Sequence, residues 1–136
     1  MKKREEPSAA VNALSRRVIG AALEVHRRLG PGLPESVYEN ALCLELEAQA
    51  IPYRRQVPVE ARYRGVVVGE GRVDLLVADA LVVELKAVEV IKDVHLAQVL
   101  TYLKMTNLPL GLLINFGVAR LKNGGIRRVV LTHPPS

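Results

Sequence analysis

The chain has 136 residues, of which 49% are hydrophobic and 24% charged, and a net charge of +5. Those values describe an ordinary globular chain of single-domain length and exclude global disorder. Cys43 is the only cysteine, and His26, His95 and His133 are widely separated, which excludes an internal disulfide framework and argues against structural zinc.

Residues 1–7 read as a disordered tail and 8–136 as one domain. The basic opening has no apolar segment behind it, and no apolar run approaches the ~20 residues of a membrane helix, so the expected setting is cytoplasmic. From Ser8 to Leu29 the residues Val11, Leu14, Val18, Ala21, Ala22, Val25 and Leu29 recur at helical steps, with Ser8 as the N-cap. Gly30-Pro31-Gly32 ends that helix, because proline cannot continue the hydrogen-bond ladder. A second helix is predicted from about Pro34 to Gln49, with Val37, Tyr38, Ala41, Leu42, Leu44 and Ala48 inward. The texture then turns β-like. Tyr53–Tyr63 alternates, and Pro58 marks it as an edge strand. Arg64-Gly65 turns the chain into Val66–Val68, and Arg72–Val77 is a further strand. Ala78–Ala80 connects tightly to Leu81–Lys86, a nearly continuous apolar run suited to a strand covered on both faces. A third helix over Asp93–Lys104, a buried strand over Leu110–Phe116 and a last strand over Ile126–Leu131 complete the chain. The order α-α-β-β-β-β-α-β-β predicts an α/β domain with one mixed β-sheet flanked by helices.

Three residues break the apolar pattern. Glu84 and Lys86 lie on one face of their strand, because side chains alternate, and Asp74 interrupts the neighbouring strand. If the two strands pair through the turn near Asp79, two carboxylates and an ammonium share one end of the sheet. Carboxylates that close repel unless a cation sits between them, and an oxygen donor set suits Mg²⁺ or Mn²⁺. The plain alternative is a structural Glu84–Lys86 pair with Asp74 capping a turn. An isolated E-x-K is common; the D-x9-E-x-K spacing across a hairpin is more specific. On the third helix Leu96, Val99, Leu100 and Leu103 form the aliphatic face, while His95, Gln98 and Tyr102 fall together on another.

Asp74…Glu84-Leu85-Lys86 resembles the PD-(D/E)xK nuclease signature, and Gly32-Leu33-Pro34-Glu35-Ser36-Val37-Tyr38 resembles the motif of the GxxExxY protein family of that superfamily. The resemblance runs from about Val11 to Leu131. It implies a restriction-endonuclease-like core in which Asp74, Glu84, the Leu85 carbonyl and Glu35 hold Mg (or Mn), and Lys86 serves the nucleophilic water. Glu35 also has a simple helix-dipole explanation, and Tyr38 is balanced between core packing and a hydrogen bond to the site. Gln98-Val99-Leu100-Thr101-Tyr102 is similar to the Q-x-x-x-Y motif of RecB-type nucleases, which lies close to metal and DNA. Val73 stands where the signature has proline, a departure that touches backbone shape rather than chemistry. The implied activity is metal-dependent hydrolysis of nucleic acid, DNA in the first instance. The paired arginines Arg16-Arg17, Arg27-Arg28, Arg54-Arg55 and Arg127-Arg128 would hold phosphates without reading sequence. Target recognition would then fall to loops, a homodimer or a partner. The competing expectation is a catalytically weak nucleic-acid-binding or adaptor protein on a nuclease scaffold.

Overall fold

The computed structural model describes residues 6–132; most of the tail expected over 1–7, and His133, lie outside the described residues. Helix α1 (Ala9–Leu29) begins where the Ser8 side chain accepts the Val11 N–H at 3.2 Å, and it ends at Gly30, whose N–H donates to the His26 carbonyl. Helix α2 (Glu35–Ala48) buries Tyr38, Glu39, Leu42, Cys43 and Leu46. Leu44 and Ala48, expected inward, face solvent, with Leu44 68% exposed. The buried stripe follows the 3.6-residue period, which places Leu44 opposite both Leu42 and Leu46 and brings a carboxylate, Glu39, to the inner face.

The strands are β1 (Tyr53–Tyr63), β2 (Val66–Val77), β3 (Leu81–Lys86), β4 (Leu110–Asn115) and β5 (Ile126–Val130), with helix α3 (Asp93–Thr106) between β3 and β4. The segments Val66–Val68 and Arg72–Val77 are joined in the single strand β2, because Gly69-Glu70-Gly71 stays paired with β1 at Ala61, Glu60 and Val59. The five strands lie in chain order across one sheet, with Pro58 on an edge strand as expected. Only β3 and β4 run parallel, joined by the α3 crossover; the other pairs are antiparallel, so the sheet is mixed. Helices α1 and α2 cover one face over Leu75, Val77, Leu81, Val83, Leu85, Leu112 and Ile114. Helix α3 covers the other, over Val73, Leu76 and Val82. It sits close to the sheet at two glycines. A Cβ on Gly71 would come within 2.8 Å of the Tyr102 ring, and one on Gly111 within 2.7 Å of Val99. No helix among the described residues is long and apolar enough to cross a membrane.

The sheet changes sides at one place, and that place positions the polar residues. On β1, Tyr53 and Arg55 face the α1–α2 layer, whereas Val57 and Val59 pack in the α3 layer. On β2, Leu75 and Val77 face α1–α2, whereas Val73 packs under α3. The alternation therefore reverses between Arg55 and Val57 and, on the opposite strand, between Val73 and Leu75. Gln56, at the reversal, has φ 50° and is skipped in the β1–β2 register, which also shifts between Ala61 and Arg62.

Candidate active site

Strands β2 and β3 pair from Val77↔Leu81 to Leu75↔Val83 and then part. The next residues on each strand are Asp74 and Glu84, so the two carboxylates stand at the opening of the fork. Side chains take over from the ladder there. The Asp74 N–H donates to Glu84 Oε1 at 2.9 Å, and the Leu85 N–H donates to Asp74 Oδ2 at 2.9 Å. The N–H and C=O of one residue point to the same strand edge, so the Leu85 carbonyl points into the fork as well. Glu84 is 3% exposed, and Asp74 is half-buried.

Lys86 lies beyond the carboxylates on the same strand. Its Nζ donates to Gln98 Oε1 at 3.2 Å, and Gln98 Nε2 donates to the Tyr102 hydroxyl at 3.3 Å. Lys86 forms no ion pair with Glu84, so the alternative of a structural Glu84–Lys86 bridge does not hold. The structure thus brings Asp74, Glu84, Leu85, Lys86, Gln98 and Tyr102 to one region. Tyr102 is 8% exposed, a core residue with its hydroxyl at the site rather than a solvated tyrosine. His95, grouped with it by periodicity, instead accepts the Lys92 N–H at the start of α3. The strand end is held by Asn115, fully buried, whose Oδ1 accepts the Val88 and Gly117 N–H groups while its Nδ2 donates to the Val88 carbonyl.

Glu35, the first residue of α2, is exposed, yet it senses the site. Its pKa is raised by partial desolvation and by the negative charge of Asp74, against the pull of Lys86. Among the described residues no three acidic, histidine or cysteine side chains converge as a metal-binding group, so Glu35 stands beside the Asp74–Glu84 pair rather than closing it. Tyr38 does not bond to the site. Its hydroxyl donates to the Gly30 carbonyl at 2.5 Å and accepts the Leu33 N–H at 3.1 Å, and its ring stacks on Phe116 at 4.6 Å. It ties down the loop that delivers Glu35. Sequence reasoning missed Glu39 and Gln56. Glu39, 8% exposed, accepts from Arg55 Nη2 at 2.7 Å and from Gln56 Nε2 at 2.8 Å. Gln56 Nε2 also reaches Asp74 Oδ1 at 3.3 Å. A signal for Glu39 existed, since it lies on the stripe that runs through Leu42 and Leu46.

The electrostatics call for a cation. Burial first, and then the charge of Asp74, push the Glu84 pKa up to about 8. Without a positive partner the two carboxylates do not both ionise at neutral pH, and neither has an ion pair among the described residues. Asp74, Glu84 and the Leu85 carbonyl form an all-oxygen donor set that fits Mg²⁺ or Mn²⁺ better than a softer metal. The basic pairs are less available than their number suggests. Arg27 and Arg28 share Glu24, Arg54 binds Asp79, and Arg55 binds Glu39.

No curated protein and no solved structure matches the chain. The family profile of the PD-(D/E)XK nuclease superfamily matches residues 12–129, which spans both carboxylates, Lys86 and the α3 crossover. With the mixed sheet and its acidic fork on the same stretch, the conclusion is that the chain belongs to the PD-(D/E)XK nuclease superfamily.

Proposed function

We propose that the protein is a metal-dependent nuclease that hydrolyses phosphodiester bonds of nucleic acid, with DNA as substrate and Mg²⁺ or Mn²⁺ as cofactor. The observation that carries this reading is the fork. A buried Glu84 and a half-buried Asp74 face each other there, neither with an ion pair among the described residues, and the Lys86 ammonium lies two residues on. Asp74, Glu84 and the Leu85 carbonyl would hold the ion, and Glu35 would add negative charge from the solvent side. When bound, such an ion polarises the scissile phosphate and lowers the pKa of water beside it. Lys86, steered by Gln98, orients the attacking water or takes its proton. The Tyr102 hydroxyl keeps Gln98 in place. The Gly32–Tyr38 segment supports assignment to the GxxExxY branch, since Tyr38 builds the loop that presents Glu35. A cytoplasmic setting suits the single buried thiol of Cys43.

The test is a panel of labelled single- and double-stranded DNA and RNA incubated with Mg²⁺, Mn²⁺ or EDTA, with Glu84→Gln as control. Cleavage that needs the metal and is lost in Glu84→Gln supports the reading. Binding without turnover under every condition would leave the adaptor alternative in its place.

A further inference from the structure

We infer that Gln56 is a positioning residue for the metal-binding carboxylate of Asp74, and that Glu39 and Arg55 act through it. This rests on the proposed nuclease reading. One Gln56 amide nitrogen donates to two carboxylates from different layers, Glu39 Oε1 at 2.8 Å and Asp74 Oδ1 at 3.3 Å. Glu39 is itself fixed, because Arg55 donates to its other oxygen from both Nε at 3.0 Å and Nη2 at 2.7 Å. Asp74 is therefore held on both oxygens, Oδ2 by the Leu85 N–H and Oδ1 by Gln56. That fixes the plane of a carboxylate whose other freedom is only rotation about its own bonds.

The backbone supplies an independent observation. Gln56 has φ 50°, a region that a side-chain-bearing residue in a strand rarely enters. It lies where β1 passes from the α2 layer to the α3 layer, opposite Asp74 at the matching passage of β2. A glycine or asparagine would hold that backbone with less strain. The residue present instead carries an uncharged amide that reaches Glu39 and Asp74 together. Outer partners of this kind usually set metal affinity as strongly as some ligands do.

The experiment uses Gln56→Gly and Gln56→Asn in the full chain, with Mn²⁺ titrated and free ion read by electron paramagnetic resonance, alongside thermal melts. Both substitutions suit the positive φ; glycine lacks the amide, and asparagine is one methylene too short to span the two acids. Mn²⁺ affinity is expected to fall roughly 10–100-fold in both, with melting temperature unchanged or raised, and with saturating Mn²⁺ restoring most cleavage. Unchanged Mn²⁺ affinity overturns the inference. If that is accompanied by a raised KM for nucleic acid, Gln56 contacts substrate instead; if by a lowered melting temperature alone, it is only structural. A wild-type chain that binds no Mn²⁺ overturns this inference and the nuclease reading together, which separates the two failures.

Discussion

Lys86 distinguishes chemistry from architecture more cleanly than either carboxylate. Its Nζ is bound to Gln98 and not to Glu84, so its removal strands no buried ion pair. Lys86→Ala is expected to cost about 1 kcal/mol, the worth of one hydrogen bond, in a denaturant melt, to keep its metal affinity, and to lose cleavage. Asp74→Asn should lose metal binding and cleavage together. A Lys86→Ala protein that unfolds, or one that cleaves at the wild-type rate, would remove Lys86 from the chemistry. Glu84 gives a pH signature. Its carboxyl ionises near the ordinary 4.5 when unfolded and near 8 when folded. The folded state therefore binds more protons between those values, and stability falls as pH rises through that window, by up to about 1.4 kcal/mol per pH unit. Thermal melts in EDTA at pH 5, 6.5 and 8 should show a declining melting temperature. Added Mg²⁺ should recover more at pH 8 than at pH 5, because at low pH it must displace a proton. A flat profile in EDTA would mean that Glu84 is charged without help.

At the scale of elements, α3 is the piece that couples core to site, and its seat on Gly71 tests that. A methyl at Gly71 meets the Tyr102 ring at 2.8 Å, and Tyr102 holds Gln98, which holds Lys86. Gly71→Ala is expected to lower cleavage while leaving metal affinity intact, because the disturbance travels through α3 and not through the fork. Asn115→Leu acts on the other support. It leaves the Val88 and Gly117 N–H groups and the Val88 carbonyl without partners, and a loss of roughly 3 kcal/mol or more is expected in urea unfolding. These elements differed in how far they could be read from sequence. The period of α1 and its Ser8 cap, the apolar β3 and β4, and the D-x9-E-x-K spacing were enough for the helices, the mixed sheet and the fork. The α2 stripe could place Glu39 inward, but it could not name the partners, because Arg55 and Gln56 come from a strand whose placement no helical pattern encodes. The reversal at Gln56 was also hidden, since neither glycine nor asparagine marks the positive φ there. The burial of Tyr102 was hidden as well, because it depends on a glycine thirty-one residues away in the chain, across the α3 packing.

For the molecule as a whole, the question is which charges meet a polyanion. The net charge of +5 would suggest binding spread over every basic pair, but the structure divides the basic residues into two groups. Arg55 is committed, with three hydrogen bonds to Glu39 and Asn40. Lys92, at the N-cap of the helix that carries Gln98 and Tyr102, and Lys104, in its last turn, are exposed and form no ion pair among the described residues. Each lysine that contacts a phosphate adds about 0.9 to the slope of log affinity against log salt on duplex DNA. Under the proposed function, affinity for a labelled duplex measured in EDTA should fall steeply with salt. Four phosphate contacts correspond to a loss of roughly 10² between 50 and 200 mM, and six to roughly 10³. Replacing Lys92 and Lys104 together by glutamine should flatten that slope by about 1.8, whereas Arg55→Gln should leave it unchanged and act on the metal site instead. Because the slope counts neutralised phosphates and ignores folding stability, a double lysine variant with the wild-type slope would move the binding surface off α3. A salt-independent wild type would point away from nucleic acid altogether, toward a partner held by apolar contacts.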